Sequence, residues 1–136
     1  MSNCRSIRFP GSEEIIAAIE KAQAAGVTAL NVLASPILNI NRKIILDRSA
    51  ALRLRAIYQW PETAEEGGFA AYNPRFDKVW RQLALQVVKV LRGTKPGDIP
   101  IEQPTEFELV INLKTAEALG LTIPPSILLL ADEVIE

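Results

Sequence analysis

The sequence predicts an α/β fold with a mainly parallel sheet and flanking helices. Short apolar segments alternate with segments of helical periodicity across the first half of the chain, in the order β-α-β-α-β. Strands that follow one another through helices are usually parallel and are joined by right-handed crossovers. The chain has 136 residues, of which 49% are hydrophobic and 23% charged. This size and composition are typical of one globular domain, so we expect 1–136 to form a single unit.

The first half is predicted to contain three strands separated by two helices. Residues 6–9 alternate polar and apolar side chains and suit a short strand. A helix follows over 12–25, with a serine cap at its start and a glycine after its end. The apolar segment 28–33 lies between two helices, which indicates a buried parallel strand. Residues 41–54 repeat apolar positions at helical spacing, and 55–59 form the next strand.

Proline and glycine divide the second half into shorter elements. An acidic stretch that ends in two glycines follows the third strand, and a Pro-rich connector follows a long helix. The predicted elements are, in order, a loop or short helical turn at 61–68, a strand at 69–72, a helix at 73–92, a connector at 94–104, a strand at 107–113, a short helix at 115–120 and a final helix at 126–135.

The long helix carries a wide apolar stripe, which we interpret as an interface. Fully burying one large apolar side chain is worth about 1.5–3 kcal/mol, so the stripe must pack on its own sheet or on another chain. A second copy is the simplest cover, and we expect a homodimer, either with or without segments exchanged through the connector. The alternative is a monomer whose helix folds back. The predicted interface residues are Phe76, Val79, Trp80, Leu83, Val87 and Leu91.

The composition argues against several kinds of chemistry. The chain contains no histidine, which removes the commonest general base and metal ligand. Cys4 is the single cysteine and has no base partner in the sequence, so a catalytic thiol is not expected. The net charge of -1 lacks the excess of positive charge that is typical of nucleic-acid-binding proteins. We therefore expect no enzyme, no metal or other cofactor, and no nucleic-acid partner.

Ligands of open parallel sheets bind beyond the carboxyl ends of the strands. Serine, proline and aromatic side chains follow two of the predicted strands, and a glycine pair would let backbone approach a ligand closely. The alternative interpretation is that the aromatic residues belong to the core and the glycines only form a turn. The predicted ligand-binding residues are Ser35, Pro36, Tyr58, Trp60, Gly67 and Gly68.

Two stretches of the chain carry a resemblance to a known family. They read AIYQWPETAEEGGFAAYNP and VVKVLRGTKPGDIPIEQPTEFELVINLKTAEALGLTIPPSILLLADEVIE. Together they resemble the carboxyl-terminal part of ABC-transporter substrate-binding proteins of the tryptophan/tyrosine-binding type. The resemblance extends weakly to the first helix and to VTALNVLASP.

The resemblance implies a two-lobed periplasmic binding protein of the type I class, with the solute between the lobes and an ABC permease as partner. Residues 1–72 and 102–136 would be second-lobe-like, and 73–93 would be the crossover helix. The first lobe would be absent, so the chain would be a truncated domain. The implied location is periplasmic; the N-terminal stretch lacks the apolar core of an export signal, which leaves the cytoplasm open.

Two functions remain in competition at this point. The first is a solute-binding component of an ABC transporter, or a truncated remnant of one, that binds a small molecule such as an amino acid. The second is a non-catalytic structural or regulatory module that dimerises without a solute. An enzyme comes third, because the sequence supplies no nucleophile or acid–base set.

Overall fold

The computed structural model describes residues 11–136 and contains one five-stranded sheet in the order β1-β2-β3-β4-β5. The strand predicted at 6–9 lies outside the described residues. The five strands are β1 Ala29–Val32, β2 Arg55–Tyr58, β3 Ala70–Asn73, β4 Glu108–Asn112 and β5 Glu133–Ile135.

Strand direction defines two edges of the sheet. β1, β2 and β3 are parallel, β4 is antiparallel to β3, and β5 is parallel to β4. In the centre, Ala71 pairs with Tyr58 on one side and with Val110 on the other. The carboxyl ends of β1–β3 therefore lie at the same edge as the amino ends of β4 and β5. We call this the front edge and the opposite one the back edge; the arrangement confirms the predicted α/β class.

The described residues contain seven α-helices: α1 precedes β1, and the other six lie between successive strands. The predicted helix at 41–54 is preceded by a separate short helix, and a 3₁₀ turn, Pro96–Asp98, interrupts the connector. The helices are α1 Ser12–Ala24, α2 Pro36–Ile40, α3 Arg42–Ala51, α4 Pro61–Glu65, α5 Phe76–Leu91, α6 Leu113–Ala118 and α7 Pro125–Leu128.

The final helix predicted at 126–135 is wrong. α7 has four residues, and the chain then enters β5. The Asp132 side chain accepts a hydrogen bond from Leu109 N at 2.8 Å, and the Asp132 N–H donates to Leu109 O at 2.9 Å. These two bonds attach the segment to β4, so sheet pairing replaces the helix that local periodicity favoured.

One face of the sheet forms the core. Ala56 and Tyr58 of β2 are buried, whereas Arg55 and Ile57 on its other face are exposed. The buried face packs against α1 and α3, and its inner residues come from six segments of chain. The core cluster contains Ile15, Ile19, Ile45, Leu46, Leu54, Ala56, Tyr58, Ala64, Ala71 and Val110.

α5 differs from the other long helices because none of its 16 residues is buried. The connector lies along one side of it, where Glu102 accepts hydrogen bonds from Gln82 and Lys89. Trp80 remains 61% exposed and Leu91 80% exposed. Among the helices between residues 11 and 136, none combines the length and apolar character needed to cross a bilayer.

Candidate functional site

A shallow depression, the front pocket, lies where β1 and β2 end. Ser35 is half-buried and immediately precedes α2, and Trp60 immediately precedes α4; both have extended backbone, which turns the chain from strand to helix. The depression measures about 20 Å³ and has Ser35, Tyr58 and Trp60 among its lining residues. A volume of this size holds about one water molecule. The surface is therefore a partial wall that cannot enclose a solute by itself.

The structure brings together three of the six predicted ligand-binding residues at this pocket. Pro36 follows Ser35 in the chain as the exposed first residue of α2. Gly67 and Gly68 line a different cavity, because the five-residue helix α4 carries the chain from the front edge back to the start of β3. Tyr58 lines both cavities and is 3% exposed.

Phe76 belongs to the same edge as Trp60. The two rings stack with centroids 3.8 Å apart and an interplanar angle of 20°. The Phe76 backbone N–H donates to Glu62 Oε1 at 2.9 Å, so Glu62 satisfies a free donor at the start of α5. The other carboxylate oxygen of Glu62 is buried and has no hydrogen-bond partner within residues 11–136. The sequence analysis assigned Phe76 to an outer interface, whereas its half-buried ring stacks on Trp60 of the same chain.

A charged cluster extends the front edge beyond the aromatic pair. Arg75 Nε lies 2.5 Å from Glu108 Oε2 and its Nη1 lies 2.5 Å from Glu65 Oε1; it also pairs with Glu133. Hydrogen bonds to Glu65 and Glu108 raise the pKa of Arg75 well above its usual range. Lys78 and Arg75 lower the pKa of Glu108 by donating to its charged form.

This cluster was not predicted from the sequence. Arg75 follows β3, whereas Glu108 and Glu133 begin β4 and β5, and only the reversal of chain direction after α5 brings these positions to one edge. Lys78 adds a second cation and lies 2.7 Å from Glu108 and 2.9 Å from Glu106. The edge therefore has more carboxylates than cations, and its cations are already paired.

Arg42 closes the side of the front pocket. Arg42 at the start of α3 lines the pocket and makes a bidentate pair with Glu66, with distances of 2.7 Å and 2.9 Å. The hydrogen bonds that Arg42 donates to the Glu66 carboxylate raise the pKa of Arg42. Both carboxylate oxygens of Glu66 accept hydrogen bonds from the Arg42 guanidinium. This ion pair therefore connects α3 to the end of α4.

The back pocket is the second cavity and measures about 90 Å³. It lies at the back edge between α3, the start of β2 and α6, and both Gly67 and Gly68 line it. A Cβ on Gly68 would lie 2.8 Å from both the Tyr58 ring and Thr63 O. Gly68 therefore permits the close packing of the turn against Tyr58.

Comparisons with known proteins agree with this geometry. The family model described as ABC transporter substrate binding protein matches residues 9–135. A search of curated proteins found no significant match.

Solved structures share the fold. The ABC domain in complex with L-Trp from Streptococcus pneumonia has a TM-score of 0.85 at 25% identity, covering 96% of this chain and 44% of that chain. A conserved domain protein from Vibrio cholerae has a TM-score of 0.83 at 22% identity, covering 90% of this chain and 41% of that one. A ligand-free, open substrate-binding protein with adhesive properties from Clostridium difficile has a TM-score of 0.61 at 18% identity, covering 93% and 42%.

The chain thus spans less than half the length of these solved relatives, and it does so with nearly all of its own residues. The family match covers almost the whole chain. This chain belongs to the family of ABC transporter substrate-binding proteins.

Proposed function

We propose that this chain forms one wall of a solute-binding cleft and helps to capture a small molecule such as an amino acid for an ABC permease. The observation that carries the proposal is the convergence of Ser35, Tyr58 and Trp60 on one depression at the front edge. Open α/β sheets bind their ligands at this position, beyond the carboxyl ends of parallel strands. The complex of a similar domain with L-Trp supports an amino acid as the solute class.

The opposite wall of the cleft would come from the part of the relatives' length that this chain does not span. Small-molecule sites normally bury most of the ligand surface, and a depression of about 20 Å³ does not. In this proposal the domain is a receptor and not an enzyme. It acts in the periplasm, where a receptor delivers its solute to the permease.

Each front residue has a proposed role. Ser35 offers a hydroxyl that donates or accepts a hydrogen bond, and Trp60 offers an indole face for an apolar or aromatic side chain. Tyr58 is buried and forms the floor, and the exposed ring of Pro36 forms the rim. Phe76 supports Trp60 by stacking on it.

The two tryptophans provide an internal control for a binding test. Trp60 lies in the front pocket, and Trp80 lies on α5 with 61% of its surface exposed. We expect a panel of amino acids that includes L-Trp to give a saturable NMR shift of the Trp60 indole N–H while the Trp80 signal stays constant. Ser35→Ala should weaken the response. Equal shifts at both indoles, or no saturable shift with any member of the panel, would contradict the proposal.

A second candidate function is assembly without a solute, through a homodimer built on α5. The observation that favours it is the absence of any buried residue in this 16-residue helix, although Trp80, Leu83, Val87 and Leu91 are apolar and exposed. Exposed apolar patches of this kind mark interaction surfaces. Exchange of β4 and β5 between two chains is the segment-swapped form of the same proposal.

A further inference from the structure

The sheet has an outer face, opposite the core, and much of this face is exposed. Side chains alternate between the two faces along each strand, so the exposed Arg55 and Ile57 define the outer face of β2. Ala29 and Asn31 of β1 pair with these two residues and are exposed as well. Parallel strands in α/β domains are normally covered on both faces. The outer face of β1 and β2 therefore lacks a covering layer among the described residues.

The exposed part of this face includes a largely apolar patch, which we call the outer patch and define by Arg55, Ile57, Tyr72 and Phe107. Ile57 pairs with Ala70 of β3, so Tyr72, two residues further along β3, lies on the same face. Ile57 is 47% exposed, Tyr72 57% and Phe107 45%. The rings of Tyr72 and Phe107 are neighbours, with 5.6 Å between their centroids. Exposed apolar patches mark interaction sites.

α5 extends from the domain as part of an arm. The helix starts at the front edge, and the connector returns the chain to β4, whose amino end lies at the same edge. Lys78 pairs with Glu106 and Glu108 at the base of the arm. Glu102 of the connector accepts hydrogen bonds from α5 further out. The helix is about 24 Å long, and because none of its residues is buried, its own sheet does not serve as its covering layer.

The helix and the outer patch complement one another in chemistry. An α/β domain is built by packing the apolar side of a helix on the apolar face of a sheet. Arg55 has no ion pair among residues 11–136, and a guanidinium packs favourably over an indole ring such as that of Trp80. The apolar side of α5 is 46% to 80% exposed and consists of Trp80, Leu83, Val87 and Leu91.

We propose that α5 of one copy packs on the outer patch of a second copy, and that the second copy returns the same contact. The inference rests on the homodimer that is the second candidate function above, and it identifies the surface that receives the helix. A two-fold axis makes the two contacts identical. A stable interface buries about 800 Å² on each partner, and two contacts supply this area more readily than α5 packed on α5, which would leave the outer patch exposed.

The first test asks whether the dimer needs the outer patch. Light scattering should give a dimer for the wild-type chain, and Ile57→Asp should raise the dissociation constant about tenfold or more, because it places an unpaired carboxylate under the helix. Tyr72→Glu should have the same effect from the neighbouring strand, so the test does not depend on one variant. Circular dichroism checks that each variant is folded. Ile40→Asp is the control and should leave the dimer intact, because Ile40 is 79% exposed at the end of α2, outside both surfaces.

The second test distinguishes the reciprocal contact from packing of α5 on α5. The Ile57→Asp and Leu83→Asp chains should each be monomeric alone. In a mixture, α5 of the Ile57→Asp chain and the outer patch of the Leu83→Asp chain are both intact, so one of the two contacts is restored. Native mass spectrometry of chains with different isotope labels should then detect a heterodimer, at a concentration where the wild-type chain is fully dimeric.

Three results would overturn the inference, and each has a different meaning. A monomeric wild-type chain would refute the homodimer together with this contact. Full dimer affinity in both Ile57→Asp and Tyr72→Glu would refute the outer patch as the partner of α5 and leave the homodimer standing. A mixture without heterodimer would refute the reciprocal contact. Solute capture at the front edge is tested separately, because Ile57 and Tyr72 do not line the front pocket.

Discussion

The ring of Trp60 lies parallel to the ring of Phe76, with 3.8 Å between their centroids. This contact joins the end of β2 to the first residue of α5, and it connects the front pocket to the exposed helix. The carboxylate of Glu62 reinforces it by accepting the Phe76 backbone N–H at 2.9 Å. α5 is therefore anchored to the domain at its N-terminus, while the rest of the helix stays at the surface.

The first prediction tests this anchor. Phe76→Ala and Trp60→Ala should each lower the free energy of unfolding, and a double-mutant cycle should give a coupling of about 0.5–1.5 kcal/mol between the rings. Urea unfolding at neutral pH measures all four proteins. Leu129→Ala serves as the control and should change stability by less than about 0.5 kcal/mol, because Leu129 is 87% exposed and lies outside α5. A coupling near zero would mean that the rings do not stabilise one another.

The second prediction concerns the pH dependence of the Arg75 cluster. Lys78 and Arg75 lower the pKa of Glu108 in the folded state, so its ion pairs stabilise the fold above the unfolded-state value of about 4.3. That contribution is lost as pH falls through the lower folded-state value. Glu108→Gln should therefore reduce stability by about 1 kcal/mol at pH 7, and the difference should shrink as the pH falls below about 4.3. Unfolding by urea at several pH values measures it.

The control for that prediction is Glu117→Gln, a change at an exposed residue of α6 that has no ion pair among the described residues. It should leave stability nearly unchanged at every pH. If Glu108→Gln shows the same loss at pH 3 as at pH 7, packing and not charge explains the role of Glu108.

The third prediction concerns the tight turn behind Tyr58. Gly68→Ala places a Cβ 2.8 Å from the Tyr58 ring and from Thr63 O, so it should destabilise the domain by about 1–3 kcal/mol. Gly97→Ala is the matched control, because an added Cβ there meets nothing within 4 Å. Thermal unfolding compares the two variants. Similar melting temperatures would show that the Tyr58 ring moves aside easily.

Much of the fold was predictable from the sequence, because the spacing of apolar residues within a short stretch of chain distinguishes strands from helices. Apolar segments between helical segments correctly predicted β1, β2 and β3. The error came at the C-terminus, where residues 125–128 form a helix but Glu133–Ile135 does not continue it. Pairing with β4 determines the conformation of that segment. Because the partner strand lies more than twenty residues away in the chain, local periodicity does not indicate the pairing.

The candidate site was predictable only in part. Ser35 and Trp60 follow the ends of adjacent strands, so the parallel sheet placed both at one edge. The Arg75 cluster was missed because Glu108 and Glu133 begin strands that run in the opposite direction to β3, which no residue pattern signalled. Gly67 and Gly68 are near Trp60 in sequence, but α4 takes them to the back edge, and its direction follows from tertiary packing.

The remaining question is what covers α5. Its N-terminus is anchored through Phe76, and the connector covers one side through Glu102. The side that carries Trp80, Leu83, Val87 and Leu91 is exposed within the chain, from 46% at Leu83 to 80% at Leu91. Two occupants are in competition: a second copy of this chain, and the lobe that completes the longer relatives.

The fourth prediction follows from the homodimer proposal. Light scattering should give the mass of a dimer for the wild-type chain, and Leu83→Asp should give a folded monomer, because a carboxylate buried in an apolar interface without a partner is strongly unfavourable. Arg81→Asp is the matched control, since it places the same side chain on α5 outside the predicted interface, and it should leave the dimer intact. Circular dichroism checks that both variants are folded. A monomeric wild type, or a folded Leu83→Asp dimer, would contradict this surface as the homodimer interface and favour a lobe like that of the longer relatives as the cover for α5.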